Sequence, residues 1–324
     1  MAATSSKSAM PRSGGLNGGL KQPKYQDYVL LVALGAVWGS SFMLIKVALA
    51  TIPPVTLAIG RVAIGALVLA IFIMARRQAW PVSGRAWALL AVMGVIGNVI
   101  PFSLINWGEV RIDSALAAIL MSTIPLATIV LAPLFVRDEP ITPGKVLGVA
   151  LGMVGVAVLI GPGALLGARG ELLGQLAVTA AALSYAFNGL LARRLPPIPV
   201  EVISASTLLC ATIAGLPLCL LVDQPWQIEP SLLSLVALVT LGIINTAGGY
   251  LLLFQLTLRA GSGFASFNNF LVPLFGVMWG VMLLGERPSP TALLSLLLIF
   301  AGLAAVGLWS SNRTGKADAG DKAQ

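Results

Sequence analysis

Residues 28–50 read YVLLVALGAVWGSSFMLIKVALA, twenty-three residues with a single charge, Lys46. About 20 apolar residues wound as a helix span the roughly 30 Å hydrocarbon layer of a bilayer. The run is apolar on every side, and it lacks the two-residue alternation of a membrane β-strand. Comparable runs, each bounded by charges, Pro or Gly, recur at about 54–74, 87–107, 114–135, 145–161, 172–192, 200–222, 232–257, 263–284 and 290–309. Hydrophobic residues make up 57% of the chain and charged residues 10%, against about a quarter charged in a soluble domain. In 324 residues, ten spans leave no length for a soluble domain of useful size. The expected fold is an all-α integral membrane protein of about ten transmembrane helices.

The formal charge of +8 would suggest nucleic acid in a soluble protein, but in a membrane protein basic residues mark cytoplasmic loops. With the N-terminus inside, fifteen Lys and Arg fall in inner segments and only Arg111, Arg169 and Arg287 in outer loops, with Lys46 and Arg61 left within spans. This asymmetry predicts a multi-pass protein with both termini cytoplasmic, and no nucleic-acid partner. Residues 1–27 are polar, basic and rich in Gly and Ser. They lack the apolar core of a cleaved signal and are expected to form a disordered cytoplasmic tail, with 310–324 as the C-terminal counterpart.

An offset of 148 pairs Arg111 with Arg259, Ser114 with Ser262, Ala117 with Ala265, Pro125 with Pro273, Asp138 with Glu286 and Pro140 with Pro288 without a gap. Five spans are therefore expected to repeat as five, at 28–161 and 172–309. An odd number of crossings obliges the second copy to enter from the opposite side, which predicts two inverted five-helix halves.

The run Trp38-Gly39-Ser40-Ser41-Phe42 with Lys46 behind it, Arg61 in the second span, and the stretch from Ser262 through Pro273 to Gly285-Glu286-Arg287-Pro288 resemble EamA-type members of the drug/metabolite transporter superfamily. The first half departs from that pattern at Arg137-Asp138-Glu139-Pro140. The resemblance implies a ten-helix inverted-repeat fold around a central substrate cavity, in an inner-membrane carrier that typically exports amino acids or other small metabolites. Membrane lipids and a small-molecule substrate are the expected partners.

Polar side chains at lipid depth are costly unless turned inward, so they mark the expected cavity: Trp38 and Ser41 in the first span, Asn98 and Asn106 in the third, Tyr185 and Asn188 in the sixth, Asn245 and Tyr250 in the eighth, Asn268 and Asn269 in the ninth. Ser40, Phe102, Ser184, Thr246, Gln255 and Ser266 accompany them. The same Ser, Thr and Asn residues could instead serve as interhelical hydrogen-bond glue. Lys46 and Arg61, near the outer ends of their spans, are candidates for an outer mouth that attracts a substrate carboxylate, or for interface anchors or donors to exposed carbonyls. Pro125 and Pro273 are the candidate hinges. Gly144, Gly148 and Gly152 form a small-residue stripe, suited to packing within the protomer or to a homodimer.

There is no His, and Cys210 and Cys219 lie roughly 13 Å apart on one helix, so a Ser-His or metal-His site is excluded and no metal or cofactor is expected. An enzyme is not expected. Every Asp and Glu falls in a tail, a loop or at a helix end, which favours facilitated export over proton antiport. Glu109 and Asp113 would overturn that preference if their turn were buried. Uptake, a drug or nucleotide-sugar-type carrier on the same fold, and a channel or receptor are the alternatives.

Overall fold

The computed structural model describes residues 23–81, 83–135, 142–166 and 169–321, and every regular element among them is a helix. In chain order these are α1 (Tyr25–Ala48), α2 (Pro54–Ala75), α3 (Gly84–Glu109), α4 (Ser114–Leu131), α5 (Pro143–Leu166), α6 (Gly170–Ala192), α7 (Val200–Val222), α8 (Leu232–Gly261), α9 (Gly263–Leu284) and α10 (Pro290–Asp321). Eight are long and apolar enough to cross a membrane. In α5 and α10 the apolar stretches among the described residues, Pro143–Leu159 and Pro290–Val306, are shorter. Leu221, Leu232 and Met153 are among many large apolar side chains left facing outward, as lipid contact requires. The chain is an all-helical, multi-pass membrane protein. Residues 1–22 and the expected Arg137–Pro140 turn lie outside the described residues.

Helix ends follow local chemistry. The Lys24 backbone N–H donates to the Asp27 carboxylate at 2.8 Å, closing a reciprocal cap on the first turn of α1. Pro54 occupies the first turn of α2, where a missing N–H costs nothing. The N–H of Thr56 in that turn donates to Asp223 at 2.6 Å. Gly285 ends α9 in the left-handed region, with φ 68°, which a residue without Cβ adopts freely.

Glycines set the helix contacts. A Cβ at Gly39 would lie 2.8 Å from the Val272 carbonyl and 2.9 Å from the Gly276 nitrogen, so α1 and α9 touch backbone to backbone. A Cβ at Gly302 would lie 2.6 Å from the Gly148 carbonyl, and one at Gly152 would meet Leu126. Two members of the Gly144 stripe thus pack within the protomer, against α10 and α4.

Two helices are not α-helical throughout. Val95–Val99 in α3 and Leu241–Gly248 in α8 are π-helical, each holding a wider turn of the kind that recurs at functional sites. Asn98 and Asn245 sit in these two segments, within one residue of the 148-residue offset. Helix α4 is interrupted at Ser122-Thr123, just before Pro125. There the Ser122 and Thr123 hydroxyls donate to the carbonyls of Ile119 and Leu120, which also accept the backbone N–H groups of the same two residues in tighter i to i+3 bonds.

Candidate functional site: a buried arginine in an aromatic cage

Arg61 sits two turns into α2 and is 4% exposed. Its side chain runs inward, away from the helix end. Nε donates to the Thr246 hydroxyl at 3.2 Å, and the guanidinium carbon lies 4.2 Å from the centroid of the Phe102 ring. The Thr246 hydroxyl in turn donates to the Leu241 carbonyl at 2.8 Å, an acceptor within the π-helical stretch of α8. A guanidinium has five N–H donors. Among the described residues only one has a protein acceptor, so the planar fork that binds carboxylates side-on has no carboxylate hydrogen-bonded to it.

The Phe102 ring lies over this cation, and further rings pack nearby. Tyr185 meets Phe102 edge-on at 6.2 Å, and Trp38 meets Tyr250 edge-on at 6.2 Å. Tyr185 and Tyr250 both lie within electrostatic reach of Arg61. Cation and rings attract one another through the ring quadrupole, which steadies an arginine that would otherwise be expensive at this depth.

The frame behind the cage is a set of hydrogen bonds between α1 and α8. Trp38 Nε1 donates to the Asn245 carbonyl at 3.0 Å, and its indole lies against Gly249, where a Cβ would come within 2.1 Å. The Asn245 amide donates to the Val37 carbonyl and to the hydroxyls of Ser40 and Ser41. On the other side, Ser184 of α6 donates to the Ile96 carbonyl in the π-helical stretch of α3 at 2.6 Å. Asn188 rests on Gly97, where a Cβ would clash at 2.3 Å.

The structure thus brings Trp38, Ser41, Tyr185, Asn188, Asn245 and Tyr250 to one region around Arg61, with Phe102 and Thr246. Asn98 is buried beside them with its carbonyl oxygen unpartnered. Three of the expected lining residues lie elsewhere. Asn106 donates to the Pro54 carbonyl at 2.9 Å and fastens α3 to the start of α2. Asn269 lines a cavity of about 800 Å³ with Pro125, Thr128, Ser266, Phe270 and Leu303, at the far end of the bundle. Asn268, next to it, is buried with an unpartnered carbonyl oxygen.

At the end of the bundle where α1 finishes, Lys46 Nζ donates to the carbonyls of Glu109 and Ile112 at 2.6 and 2.7 Å. Close by, the Glu286 carboxylate accepts the backbone N–H groups of Ser114 and Ala115 at 2.8 and 2.9 Å, capping α4 where a helix dipole favours negative charge. Lys46 and Arg61 therefore both turn into the protein rather than outward. The preference for export without proton coupling loses its premise here. Glu109 does end a helix, but that end is packed inside the bundle, and its carboxyl is 0% exposed. Asp113 in the same turn is exposed.

The model of the EamA-like transporter family matches residues 27–161 and again 172–308. The chain belongs to this family. Among curated relatives, it is 28% identical over 279 residues to an S-adenosylmethionine/S-adenosylhomocysteine transporter of Chlamydia trachomatis, covering 83% of this chain and 85% of that one. It is 26% identical over 282 residues to a probable terminal-alkyne amino-acid exporter of Streptantibioticus cattleyicolor, covering 84% and 90%. A solved crystal structure shares the fold with a TM-score of 0.64 and 20% identity, covering 90% of this chain and 99% of that one. Membership and relatives together make the chain a membrane transporter.

Two features escaped the sequence reading. The π-helical stretches leave no mark in hydrophobic periodicity. The inward turn of Arg61 depends on Thr246, 185 residues away.

Proposed function

We propose that this EamA-family chain exports small organic metabolites bearing a carboxylate, amino acids foremost, by alternating access around the cage at Arg61. The observation that carries the reading is the buried guanidinium with one protein hydrogen bond and an aromatic surround. Its free N–H groups suit a substrate carboxylate, and the rings of Trp38, Phe102, Tyr185 and Tyr250 suit the apolar or π-bearing remainder. The S. cattleyicolor relative, named as a probable amino-acid exporter, is in keeping with that class.

On this reading the chain crosses the cell membrane of a bacterium ten times, as two inverted five-helix halves at 28–161 and 172–309, with both termini cytoplasmic. The Lys46 end faces outward and is closed, and the cavity at Pro125 and Asn269 opens toward the cytoplasm to admit substrate. Pro125 and Pro273 act as the hinges about which α4 and α9 bend, and Arg61 is the anion-binding residue.

The test is untargeted mass spectrometry of the medium from cells overexpressing the chain, beside cells expressing Arg61→Gln and Asn188→Ala. A carboxylate-bearing metabolite should accumulate outside with the unmutated chain and fall at least tenfold with Arg61→Gln at equal membrane expression. Accumulation inside the cells instead would replace export by uptake, and unaltered export by both variants would remove the cage from the mechanism.

A further inference from the structure

Glu109 ends α3 directly beneath the lysine that closes this end of the bundle. Its side chain is 0% exposed, and among the described residues neither carboxyl oxygen receives a hydrogen bond. An ionised carboxylate in that setting has lost water and gained no donor, one of the most costly arrangements a protein interior can hold.

The charged groups that bear on it are Lys46 from α1, Arg61 from α2 and Glu286 from the turn after α9. Neither cation donates to it. Lys46 spends two N–H groups on the backbone carbonyls of Glu109 and Ile112, and among the described residues the one Arg61 N–H with a protein acceptor goes to Thr246. Helix α6 packs on the same end of α3 through Gly174 against Gly108, and brings neutral Gln175 and exposed Glu171. Within the turn itself, Asp113 is exposed, and Arg111 is occupied by the Trp107 ring and carbonyl.

We propose that Glu109 is a proton-binding site: it takes up one proton as the Lys46 end of the bundle closes and releases it when that end opens. With the proton on, the carboxyl is neutral, and Lys46 is left to bridge the carbonyls of Glu109 and Ile112. With the proton gone, the carboxylate competes for the same ammonium, since a charged acceptor binds it more strongly than a carbonyl. Drawing Lys46 away from the turn loosens the seal between α1 and the α3–α4 connection. Acid on the side this end faces therefore favours the closed form, and alkali favours the open one. This inference rests on the reading that the Lys46 end opens and closes during transport.

The full chain in lipid nanodiscs tests it without any substrate. Two quantities are followed across pH: the infrared carbonyl stretch of a protonated, water-excluded carboxylic acid, and amide hydrogen exchange of the segment 108–116, corrected for the intrinsic effect of pH. The unmutated chain should show the acid band at low pH and lose it on alkaline titration, with exchange of 108–116 rising at least fivefold over the same interval. Glu109→Gln should lack the band and stay protected at all pH values. Glu109→Asp should keep a titrating band, which separates loss of the proton from loss of the fold, and Lys46→Gln should be unprotected throughout.

A band or a pH-dependent opening that is the same in Glu109→Gln as in the unmutated chain overturns the proposal while leaving alternating access intact. Full protection at every pH in all four chains, Lys46→Gln included, overturns both, because this end then never opens.

Discussion

The two ends of the bundle are tied by different chemistry. At the Lys46 end, charged side chains reach across long sequence separations to backbone groups: Lys46 to the carbonyls of Glu109 and Ile112, Glu286 to the first amides of α4, Asp223 to the Thr56 amide. At the other end the ties join side chain to side chain, Arg259 to Asp27 at 2.7 Å and Gln78 to Glu201 at 2.6 Å, and an 800 Å³ cavity lies among α4, α9 and α10. Backbone groups at a helix end cannot follow a rotamer change, so contacts to them hold a fixed geometry. Each of these ties pairs a buried carboxylate with a side chain open to solvent or half-buried, Arg259 at 42% exposure and Gln78, and a bond with one partner in reach of water yields to water and salt more readily. One end is a latch, and the other is held loosely.

That contrast can be broken or sharpened by substitution. The largest effect is expected where α1 and α9, which run between the two ends, touch backbone to backbone. Gly39→Ala places a methyl group against the Val272 carbonyl and the Gly276 nitrogen, and backbone cannot give way as a side-chain tip can. A loss of about 3 kcal/mol should appear as a lower unfolding temperature of the detergent-solubilised chain, and unchanged melting would mean that α1 and α9 are not in this contact in the membrane.

Next is Lys46→Met, which removes two charge-assisted bonds from a half-buried site. About 2 kcal/mol of local protection, roughly thirtyfold in amide exchange at 110–113, should be lost there and not at the far end. Equal loosening of both ends would contradict the division.

Glu286→Gln keeps one acceptor for the α4 amides but drops the charge opposed to the helix dipole. Exchange of 114–117 should rise by about fivefold, the equivalent of roughly 1 kcal/mol. The smallest effect is assigned to Asp27→Asn, because its partner Arg259 is 42% exposed. Exchange near the start of α1 should change by no more than about twofold, and a much larger change would make the far end a latch as well.

Much of this architecture is legible in residue order. Apolar runs of span length set the helices, because burial in lipid tolerates few alternatives, and the residues that collect around the cage were selected by the cost of placing polar groups at that depth. The direction in which each side chain turns was less legible. Arg61 reads from its position as a residue near the outer end of a span, yet it points to Thr246 in a helix that begins 171 residues later. Asn106 has the same composition and depth signal as Asn98, but it holds the Pro54 carbonyl. Glu109 was visible as a helix-end carboxylate. Its burial follows from the packing of α1 and α2 over the turn, which no local pattern encodes.

The wide turn at Leu241–Gly248 has a consequence for how α8 can move. It stores a residue in excess of the α-helical count, and each residue in a helix advances the azimuth by about 100°. If the surplus travels along the helix, the segment it crosses is turned by that angle while its ends stay in place. Thr246 and Tyr250 lie in and just beyond the stretch, so relocating one surplus residue would swing the partner of Arg61 out of reach, a twist of the helix about its own axis with no bending at all.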